Sequence, residues 1–328
     1  MRLRAPKFWG ARPGLLASSL APVAMIYGAV ASARLRHEAP RAELPTIVVG
    51  GLTLGGDGKT PLVLALAEML REMGERPAVL SRGYGRAGRG LLIVDAAGHS
   101  AREAGDEALL LAEKALTIVG SDRVAAARLA KTQGATVLLL DDGLHSRALA
   151  PDLALLVVDA EHGAGSGFCP PAGPLRAPVA AQLAAADALV VIGSGEAWRA
   201  LPAFAPTFRA RLAPTPESAS ALADAKLFAF AGIGRPEKFW TTLKETGAQV
   251  FGFRAFPDHH VYSRADLAQL SHAAQAQGAR LVTTRKDAAR IEGYVETVAV
   301  DLIFEEEARV RALLRDALAH ARPSPVSR

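Results

Sequence analysis

The apolar positions along this chain fall into short continuous runs separated by longer amphipathic segments. A run that is apolar throughout is typical of a parallel strand covered on both faces, whereas apolar residues recurring every three or four positions indicate a helix. Helical spacing is present at residues 107–115 and 123–132. The runs that predict strands are residues 46–49, 78–80, 91–94, 116–119, 136–140, 153–158 and 188–192. This alternation predicts an α/β fold whose parallel sheet carries helices on both faces.

A second, smaller alternation occupies the C-terminal part of the chain. Helical spacing at residues 239–246 and 263–277 separates three strand-like runs, residues 227–231, 250–253 and 280–283. The stretch from 205 to 220 carries prolines and little periodicity, which is typical of a boundary between domains. We therefore predict an N-terminal helical segment (residues 1–40), a larger α/β domain (41–210), a smaller α/β domain (211–322) and a short tail (323–328).

The N-terminal segment contains an uncharged, apolar stretch between Arg12 and Arg34. A transmembrane helix, a secretory signal, a helix lying on a membrane and a soluble helix packed on the protein would each fit this pattern. Alanine, serine, glycine and Pro22 dilute the apolar character that a full span needs. A cleaved signal would conflict with any chemistry that uses ATP, because ATP is cytosolic.

A helix lying in the membrane interface is the interpretation we favour. Five apolar residues at helical spacing would form one stripe, namely Leu16, Leu20, Val23, Tyr27 and Val30. Basic residues flank the stretch, at Arg2, Arg4, Lys7 and Arg12 before it and at Arg34 and Arg36 after it. Such flanks suit an anionic layer of lipid headgroups.

A glycine-rich loop joins the first predicted strand to a helix that is apolar on one face. The loop reads TLGGDGKTP over residues 53–61, and the order strand, loop, helix is the context that a phosphate-binding loop requires. Its glycines let successive N–H groups point at phosphate oxygens, and the helix N-terminus adds partial positive charge. Lys59 would reach the β- and γ-phosphates, and the Thr60 hydroxyl would bind Mg²⁺. Thr53 stands where the usual pattern has its first glycine, and a flexible turn is the alternative.

A second element supports nucleotide chemistry. The apolar run at 136–140 ends in Asp141, Asp142 and Gly143. Carboxylates at the end of a buried strand are suitable Mg²⁺ ligands, and strand ends are where ligands bind in open α/β sheets. An ordinary Asp-Gly turn would have the same sequence.

Composition narrows the classes of function. Apolar residues make up 50% and charged residues 22% of the 328 residues, as in a globular protein. Cys169 is the only cysteine, which excludes disulfides and cysteine-rich metal sites. The net charge of +5 favours anionic partners. Lysine and arginine are scattered and aromatic residues amount to 5%, so the basic stripe with stacking aromatics of a nucleic-acid binder is absent. Nothing in the sequence calls for an obligate protein partner.

A kinase also needs a group that accepts or orients the proton of the acceptor hydroxyl. Asp106 and Glu107 at the start of a predicted helix offer one, although acidic residues are common in any first turn. The run FPDHH at residues 256–260 offers another, with a polar turn as the alternative. Arginines in SRGYGR, residues 81–86, could bind phosphate at the sheet edge or lie in a solvated loop.

Taken together, these stretches resemble the tetraacyldisaccharide 4′-kinases of lipid A biosynthesis along nearly the whole chain. The segments that carry the resemblance, in family order, are GGLTLGGDGKTP, SRGYG, GDEALLLA, SDR, LLLDDG, PPAGPLRAP, AFAGIGRPEKF and FPDHHVY. The family's own loop has Ser or Thr at the position of Thr53. The resemblance implies a P-loop kinase fold. It also implies transfer of the γ-phosphoryl group of ATP, with Mg²⁺, to the 4′-hydroxyl of a tetraacylated glucosamine disaccharide 1-phosphate. The expected location is the cytoplasmic face of the bacterial inner membrane, in a peripheral or monotopic mode.

The resemblance assigns roles to particular residues. Asp106 matches the family's proposed catalytic base and His259 its partner, with Lys59 acting on the phosphates. ATP would be held by the loop Thr53, Leu54, Gly55, Gly56, Asp57, Gly58, Lys59 and Thr60. Mg²⁺ would be held by Thr60, Asp141 and Asp142. Positions near the substrate are matched by Tyr84, Glu107, Arg123 and Arg176.

The chain departs from the family pattern in three places. His145 and Ser146 follow the Asp-Asp-Gly-Leu run, where the family usually has Gln and His. Ala177 replaces a glutamate, and Arg235 stands where Asn is common.

A nucleotide-switch ATPase of the partitioning or metallocluster-carrier kind is the main alternative function, but the second lysine that is usual in such ATPases would fall at Thr53. A soluble small-molecule kinase with a structural N-terminal helix is the other rival.

Overall fold

A computed structural model describes residues 6–10 and 14–321 of the protein. The predictions that concern Arg2, Arg4, Arg12 and the tail at 323–328 lie outside the described residues. The strands are β1 (Thr46–Gly51), β2 (Pro77–Ser81), β3 (Leu92–Ile93), β4 (Leu116–Val119), β5 (Val137–Leu140), β6 (Leu153–Asp159), β7 (Ala188–Ile192), β8 (Thr207–Pro214), β9 (Lys226–Ala231), β10 (Gln249–Ala255), β11 (Arg280–Thr284), β12 (Glu296–Val298) and β13 (Val300–Phe304).

Helices alternate with these strands, as the periodicity predicts. They are α1 (Leu15–Leu35), α2 (Lys59–Glu72), α3 (Ala101–Ala104), α4 (Asp106–Ala112), α5 (Arg123–Thr132), α6 (Val179–Leu183), α7 (Pro216–Leu222), α8 (Pro236–Glu245), α9 (Arg264–Ala276), α10 (Arg285–Ala288) and α11 (Glu307–Ala321). Short 3₁₀ turns lie at Lys7–Gly10 and Ala197–Ala200.

The larger sheet has the strand order β13-β8-β7-β6-β1-β5-β2-β4-β3. Its pairs are parallel except at the two edges, where β13 and β3 run antiparallel to β8 and β4. One face of the sheet buries apolar residues of α2 and α11, and the other those of α5 and α6. The predicted parallel sheet with helices on both faces is therefore confirmed. The register aligns the carboxyl ends of β1, β5 and β6, with Val48 beside Leu140 and Gly51 beside Val157.

The smaller sheet is parallel throughout, with the order β10-β9-β11-β12. Phe239 and Leu243 of α8 are buried among the apolar residues of one core cluster, and Leu270 of α9 is buried in another cluster with Phe230. These elements lie where the sequence predicts a second α/β unit.

Sheet membership differs from the predicted ranges at two places. The stretch 205–220, which shows little periodicity, contains β8, whose burial alternates along an outer strand of the larger sheet. Residues 300–321 return to that sheet: β13 pairs with β8, and α11 buries Val310, Leu314 and Leu318 against it. Prolines around β8 are typical of a loop, so the sequence does not predict this strand. The division of the chain into domains stays a prediction.

Helix α1 packs on the protein through its small residues. Ala17, Ala24 and Gly28 are buried, and a Cβ atom on Gly28 would lie 3.2 Å from Cγ of Pro178. Most of its large apolar side chains point away, and Ile26 is 68% exposed, whereas Leu20 is half-buried against the core and Leu35 is buried. The helix is long and apolar enough to cross a membrane by length and composition.

Shortening the Leu314 side chain tests whether α11 packs against the larger sheet. Leu314→Ala removes a fully buried side chain and should lower the free energy of unfolding by about 2–5 kcal/mol, measured by urea denaturation. Asp316→Ala, on the exposed side of the same helix, should change it by less than about 0.5 kcal/mol. Equal small effects of the two variants would contradict this packing.

Candidate active site

The loop between β1 and α2 has the backbone that a phosphate cradle needs. Gly55, Gly56 and Gly58 have φ angles of 86°, 64° and 94°, a region that residues with a Cβ atom rarely adopt. Gly58 also has no room for a side chain, because a Cβ atom there would lie 2.8 Å from Cδ1 of Ile192. The loop ends at the N-terminus of α2, where free N–H groups favour anions.

Asp57 braces this loop from inside. Its carboxylate is buried and accepts hydrogen bonds from the backbone N–H of Thr53, at 3.0 Å, and from the Thr53 hydroxyl. Burial raises the pKa of Asp57, and the charge of Lys59 and the Thr53 hydroxyl oppose that rise. Thr53 at the position of the usual first glycine is thus a partner of Asp57.

Neighbouring segments hold the loop from outside. The N–H of Leu54 donates to the carbonyl oxygen of Pro174 at 2.8 Å, and Nε of Arg176 donates to that of Thr53 at 2.8 Å. These contacts come from the segment 163–178, which the sequence shows as a Gly- and Pro-rich loop.

Lys59 and Thr60 begin α2 and are half-buried. A Cβ atom on Gly51 would lie 3.2 Å from Nζ of Lys59, so the ammonium group lies against the end of β1. The positive charge of Lys59 favours the ionised form of both carboxylates that follow β5, and so opposes the effect of burial on their pKa values.

Asp141 and Asp142 directly follow β5, as predicted. Asp141 is buried, and within the described residues its Oδ1 atom has no hydrogen-bond partner. Burial and the charges of Glu107 and Asp142 raise the pKa of Asp141. Asp142 adopts a φ of 54° and lies 2.9 Å from Nη1 of Arg176. Burial raises the pKa of Asp142, but Lys59 and Arg176 outweigh it and leave the pKa below its ordinary range.

These carboxylates fit a magnesium ion. A buried carboxylate with an unpartnered oxygen and a raised pKa is relieved by a nearby divalent cation, and Mg²⁺ prefers oxygen ligands. Thr60 offers a hydroxyl at the start of α2.

Asp106 and His259 meet across the two sheets. Nδ1 of His259 lies 2.8 Å from Oδ2 of Asp106, and both side chains are largely buried. Asp106 begins α4 after Gly105, while His259 follows β10 in the FPDHH turn with a φ of 55°. Its backbone N–H donates to the carbonyl of Gly232 at 3.0 Å.

Two cations from the α10 region lie beside Asp106 and its neighbour Glu107. Nε of Arg290 lies 3.4 Å from Oδ2 of Asp106, and Nζ of Lys286 lies 2.8 Å from Oε1 of Glu107. Burial raises the pKa of Asp106, but the hydrogen bond from His259 and the charges of Lys286 and Arg290 together bring it below its ordinary value. The carboxylate is therefore ionised at neutral pH.

Arg290 is itself held by a buried network. Its guanidinium donates to Oδ1 of Asp287 at 2.7 Å and to the carbonyls of Gly232 and His260, each at 3.0 Å. Asp287 also accepts from the Tyr262 hydroxyl at 2.7 Å. This network fixes the turn that carries His259.

The remaining predicted residues occupy different places. Tyr84 is exposed and its ring lies 5.2 Å from that of His259, centroid to centroid. Glu107 is paired with Lys286 and acts electrostatically on Asp141, so α4 begins near the end of β5. Arg123 is buried and donates to the carbonyls of Ser81 and Gly120, which ties the ends of β2 and β4 together. Burial and the charge of Arg82 lower the pKa of Arg123 to about 10.

The departures from the family pattern are accommodated in the structure. His145 lies 2.8 Å through Nε2 from Oε1 of the buried Gln182, and burial lowers the pKa of His145 to about 4. The Ser146 hydroxyl donates to the carbonyl of Gly143 at 2.8 Å. Ala177 is buried, and its carbonyl accepts from Gln182.

We call the four-stranded sheet with α8, α9 and α10 the smaller unit, and the nine-stranded sheet with the helices packed on it the larger unit. Arg235 and Lys238 of the smaller unit reach Asp159 at the end of β6, and both form ion pairs with it. Burial alone would raise the pKa of Asp159, but the charges of Lys238 and Arg235 outweigh this effect and leave the pKa below its ordinary value. The carboxylate therefore stays ionised. Asp159 follows a buried strand as Asp141 does, which is a signal available in the sequence. No local sequence pattern predicts a role at this site for Lys238, Lys286 or Arg290, because the carboxylates that they contact here lie in distant segments.

Comparison with known proteins gives one consistent result. The model of the tetraacyldisaccharide-1-P 4′-kinase family matches residues 16–319. The tetraacyldisaccharide 4′-kinase of Methylobacterium nodulans is 48% identical over 331 residues, which cover 98% of each chain. That of a Bradyrhizobium species is 46% identical over 334 residues, which cover 98% of this chain and 97% of the relative. The crystal structure of LpxK from Aquifex aeolicus in complex with ATP is 29% identical with a TM-score of 0.74, covering 93% of this chain and 100% of that chain.

Proposed function

Because the chain belongs to the tetraacyldisaccharide-1-P 4′-kinase family, we propose that Asp106 deprotonates the 4′-hydroxyl of the glycolipid while the loop at residues 53–60 holds ATP. The protein is an ATP-dependent kinase of lipid A biosynthesis that phosphorylates a tetraacylated glucosamine disaccharide 1-phosphate. The observation that carries the assignment of roles is the 2.8 Å contact between Asp106 and His259.

The loop and Lys59 would hold the triphosphate. Backbone N–H groups at Gly55, Gly56 and Gly58 and the N-terminus of α2 would meet its oxygens. The ammonium of Lys59 would neutralise charge on the transferring group. Thr60, Asp141 and Asp142 would hold Mg²⁺, which neutralises phosphate charge and orients the transferred group.

Asp106 would act on the sugar. The O–H bond of the acceptor breaks as its oxygen attacks the γ-phosphorus, the proton passes to the Asp106 carboxylate, and ADP leaves with the electrons of the broken P–O bond. His259 holds the carboxylate through Oδ2, and the N–H of Glu107 donates to Oδ1 at 2.9 Å. Arg290 lies near Oδ2 and keeps the carboxylate ionised before the sugar binds.

We further propose that α1 rests on the cytoplasmic face of the inner membrane. Its small residues pack on the protein and most of its large apolar side chains face outward, which suits a helix lying among lipid headgroups. The sugar of a lipid substrate would then lie at the depth of the site while its acyl chains stay in the bilayer.

Replacing Asp106 tests the proposed base. Asp106→Ala should lower the transfer of labelled phosphate from ATP to the purified lipid disaccharide by about a hundredfold or more, while Mg·ATP binding measured by calorimetry persists. Unchanged turnover would remove Asp106 from the mechanism. Asp316→Ala, the same substitution on the exposed side of α11, should leave turnover within about threefold.

The pH dependence tests the role of His259. The hydrogen bond from His259 lowers the pKa of Asp106, so His259→Gln should raise that pKa and move the acidic limb of kcat/KM to higher pH. The measurement is kcat/KM for the lipid acceptor between about pH 3 and pH 7, a range that includes the ordinary Asp pKa of about 3.9. His260→Gln is the matched control, because His260 contacts Asp266 instead. Superimposable acidic limbs for all three proteins would contradict the proposed contact.

Charges on the outer face of α1 test membrane association. Ile26→Asp combined with Val30→Asp should release the protein from vesicles of anionic phospholipid in a flotation assay, because carboxylates are repelled by the headgroups and costly to bury. Ala312→Asp combined with Ala319→Asp adds the same charge on exposed positions of α11 and should leave flotation unchanged. Flotation of the α1 variant at the level of the parent would refute this placement.

A further inference from the structure

Arg235 extends from the smaller unit onto the phosphate loop. It immediately precedes α8, after the turn that follows β9, and its side chain is mostly buried. Nη2 of Arg235 lies 3.6 Å from Oδ1 of Asp57, the residue that braces the loop. The guanidinium also pairs with Asp159 at the end of β6, so two carboxylates of the larger unit hold it in place.

The side chain covers the loop closely. A Cβ atom on Gly56 would lie 3.2 Å from both Cγ and Nε of Arg235. A Cβ atom on Gly234 would in turn lie 3.7 Å from the backbone N of Gly56. Gly56 is therefore a point of close approach between the two units, at the position where the loop would meet phosphate oxygens.

The loop also carries less positive charge than its chemistry calls for. Lys59 is its only cation, and Thr53 occupies the position where switch ATPases of similar loop sequence have a second lysine. A phosphoryl group in transfer spreads negative charge over its equatorial oxygens, and an arginine can bind two of these at once. Arg235 supplies a charge at the loop that the loop sequence itself lacks.

We propose that Arg235 is a catalytic residue that binds the β- and γ-phosphate oxygens of ATP from the smaller unit. The proposal rests on the kinase function proposed above. Asp57 and Asp159 would keep the guanidinium aimed at the loop, and the phosphates would complete its hydrogen bonds. Phosphoryl transfer would then require the two units to be packed together as they are here.

Lys238 provides the matched control. It pairs with Asp159 as Arg235 does, and it lies on the same helix. The described contacts of Lys238 do not include Asp57 or the loop glycines. A purely structural role through Asp159 would therefore make the two residues equivalent, whereas a role at the phosphates would not.

The test compares Arg235→Ala, Arg235→Lys and Lys238→Ala with the parent protein in kinetics and in nucleotide binding. Arg235→Ala should lower kcat by about a hundredfold, Arg235→Lys by about tenfold, and Lys238→Ala by less than about threefold. In calorimetry without the lipid, Arg235→Ala should weaken Mg·ATP about tenfold more than it weakens Mg·ADP, because the γ-phosphate contact is lost.

Several outcomes would overturn the proposal. They are a kcat for Arg235→Ala within threefold of the parent, equal losses for Arg235→Ala and Lys238→Ala, and equal weakening of ATP and ADP. Arg235→Lys keeps the charge and guards against a folding defect, which thermal denaturation without nucleotide would reveal. Failure of the parent itself to bind Mg·ATP would refute the kinase function, and this result is distinguishable from the others.

Discussion

Buried and half-buried carboxylates at the carboxyl edge of the larger sheet are paired with side chains of the smaller unit, and the contact between the two units at the site depends on this pairing. Asp106 is matched by His259 and Arg290, Glu107 by Lys286, and Asp159 by Arg235 and Lys238. A buried ion that loses its partner is strongly unfavourable, whereas a complete pair contributes little net stability. Such pairs therefore specify position more than they add free energy of folding. The site is complete only where the two units meet.

The residues proposed to bind the nucleotide and the residue proposed to accept the proton are held in place by different parts of the protein. The phosphate loop, Asp141 and Asp142 come from consecutive elements around β1 and β5, within one sheet. The proposed proton acceptor Asp106 lies on the same unit, but residues of the other unit orient it and keep it ionised. Apart from Arg235, the residues proposed to bind the nucleotide thus belong to the larger unit, whereas those proposed to activate the hydroxyl come from both units.

The parts of the site that the sequence predicts are those formed by neighbouring residues. The loop at 53–60 and the aspartates after β5 follow from a strand, a turn and a helix in order, and α5 begins and ends where its periodicity indicates. The pairing of Asp106 with His259 was predicted from family resemblance, since no local pattern links residues 153 positions apart. Lys286, Arg290 and Lys238 were not predicted, because their meaning lies in partners on another sheet. Strands β8 and β13, at one end of the larger sheet, were not predicted for a related reason: their burial alternates along the strand, so they lack the continuous apolar runs of the central strands.

The hydrogen bonds from Thr53 to Asp57 have one further effect, on the thermodynamics of ligand capture. Fixing a residue of flexible backbone costs about 1–2 kcal/mol at room temperature. A receptor that is rigid beforehand meets this entropy during folding, so the incoming molecule does not. The affinity of a nucleotide bound at this loop would therefore depend mainly on the contacts it makes and the water it displaces, because the loop would need little rearrangement.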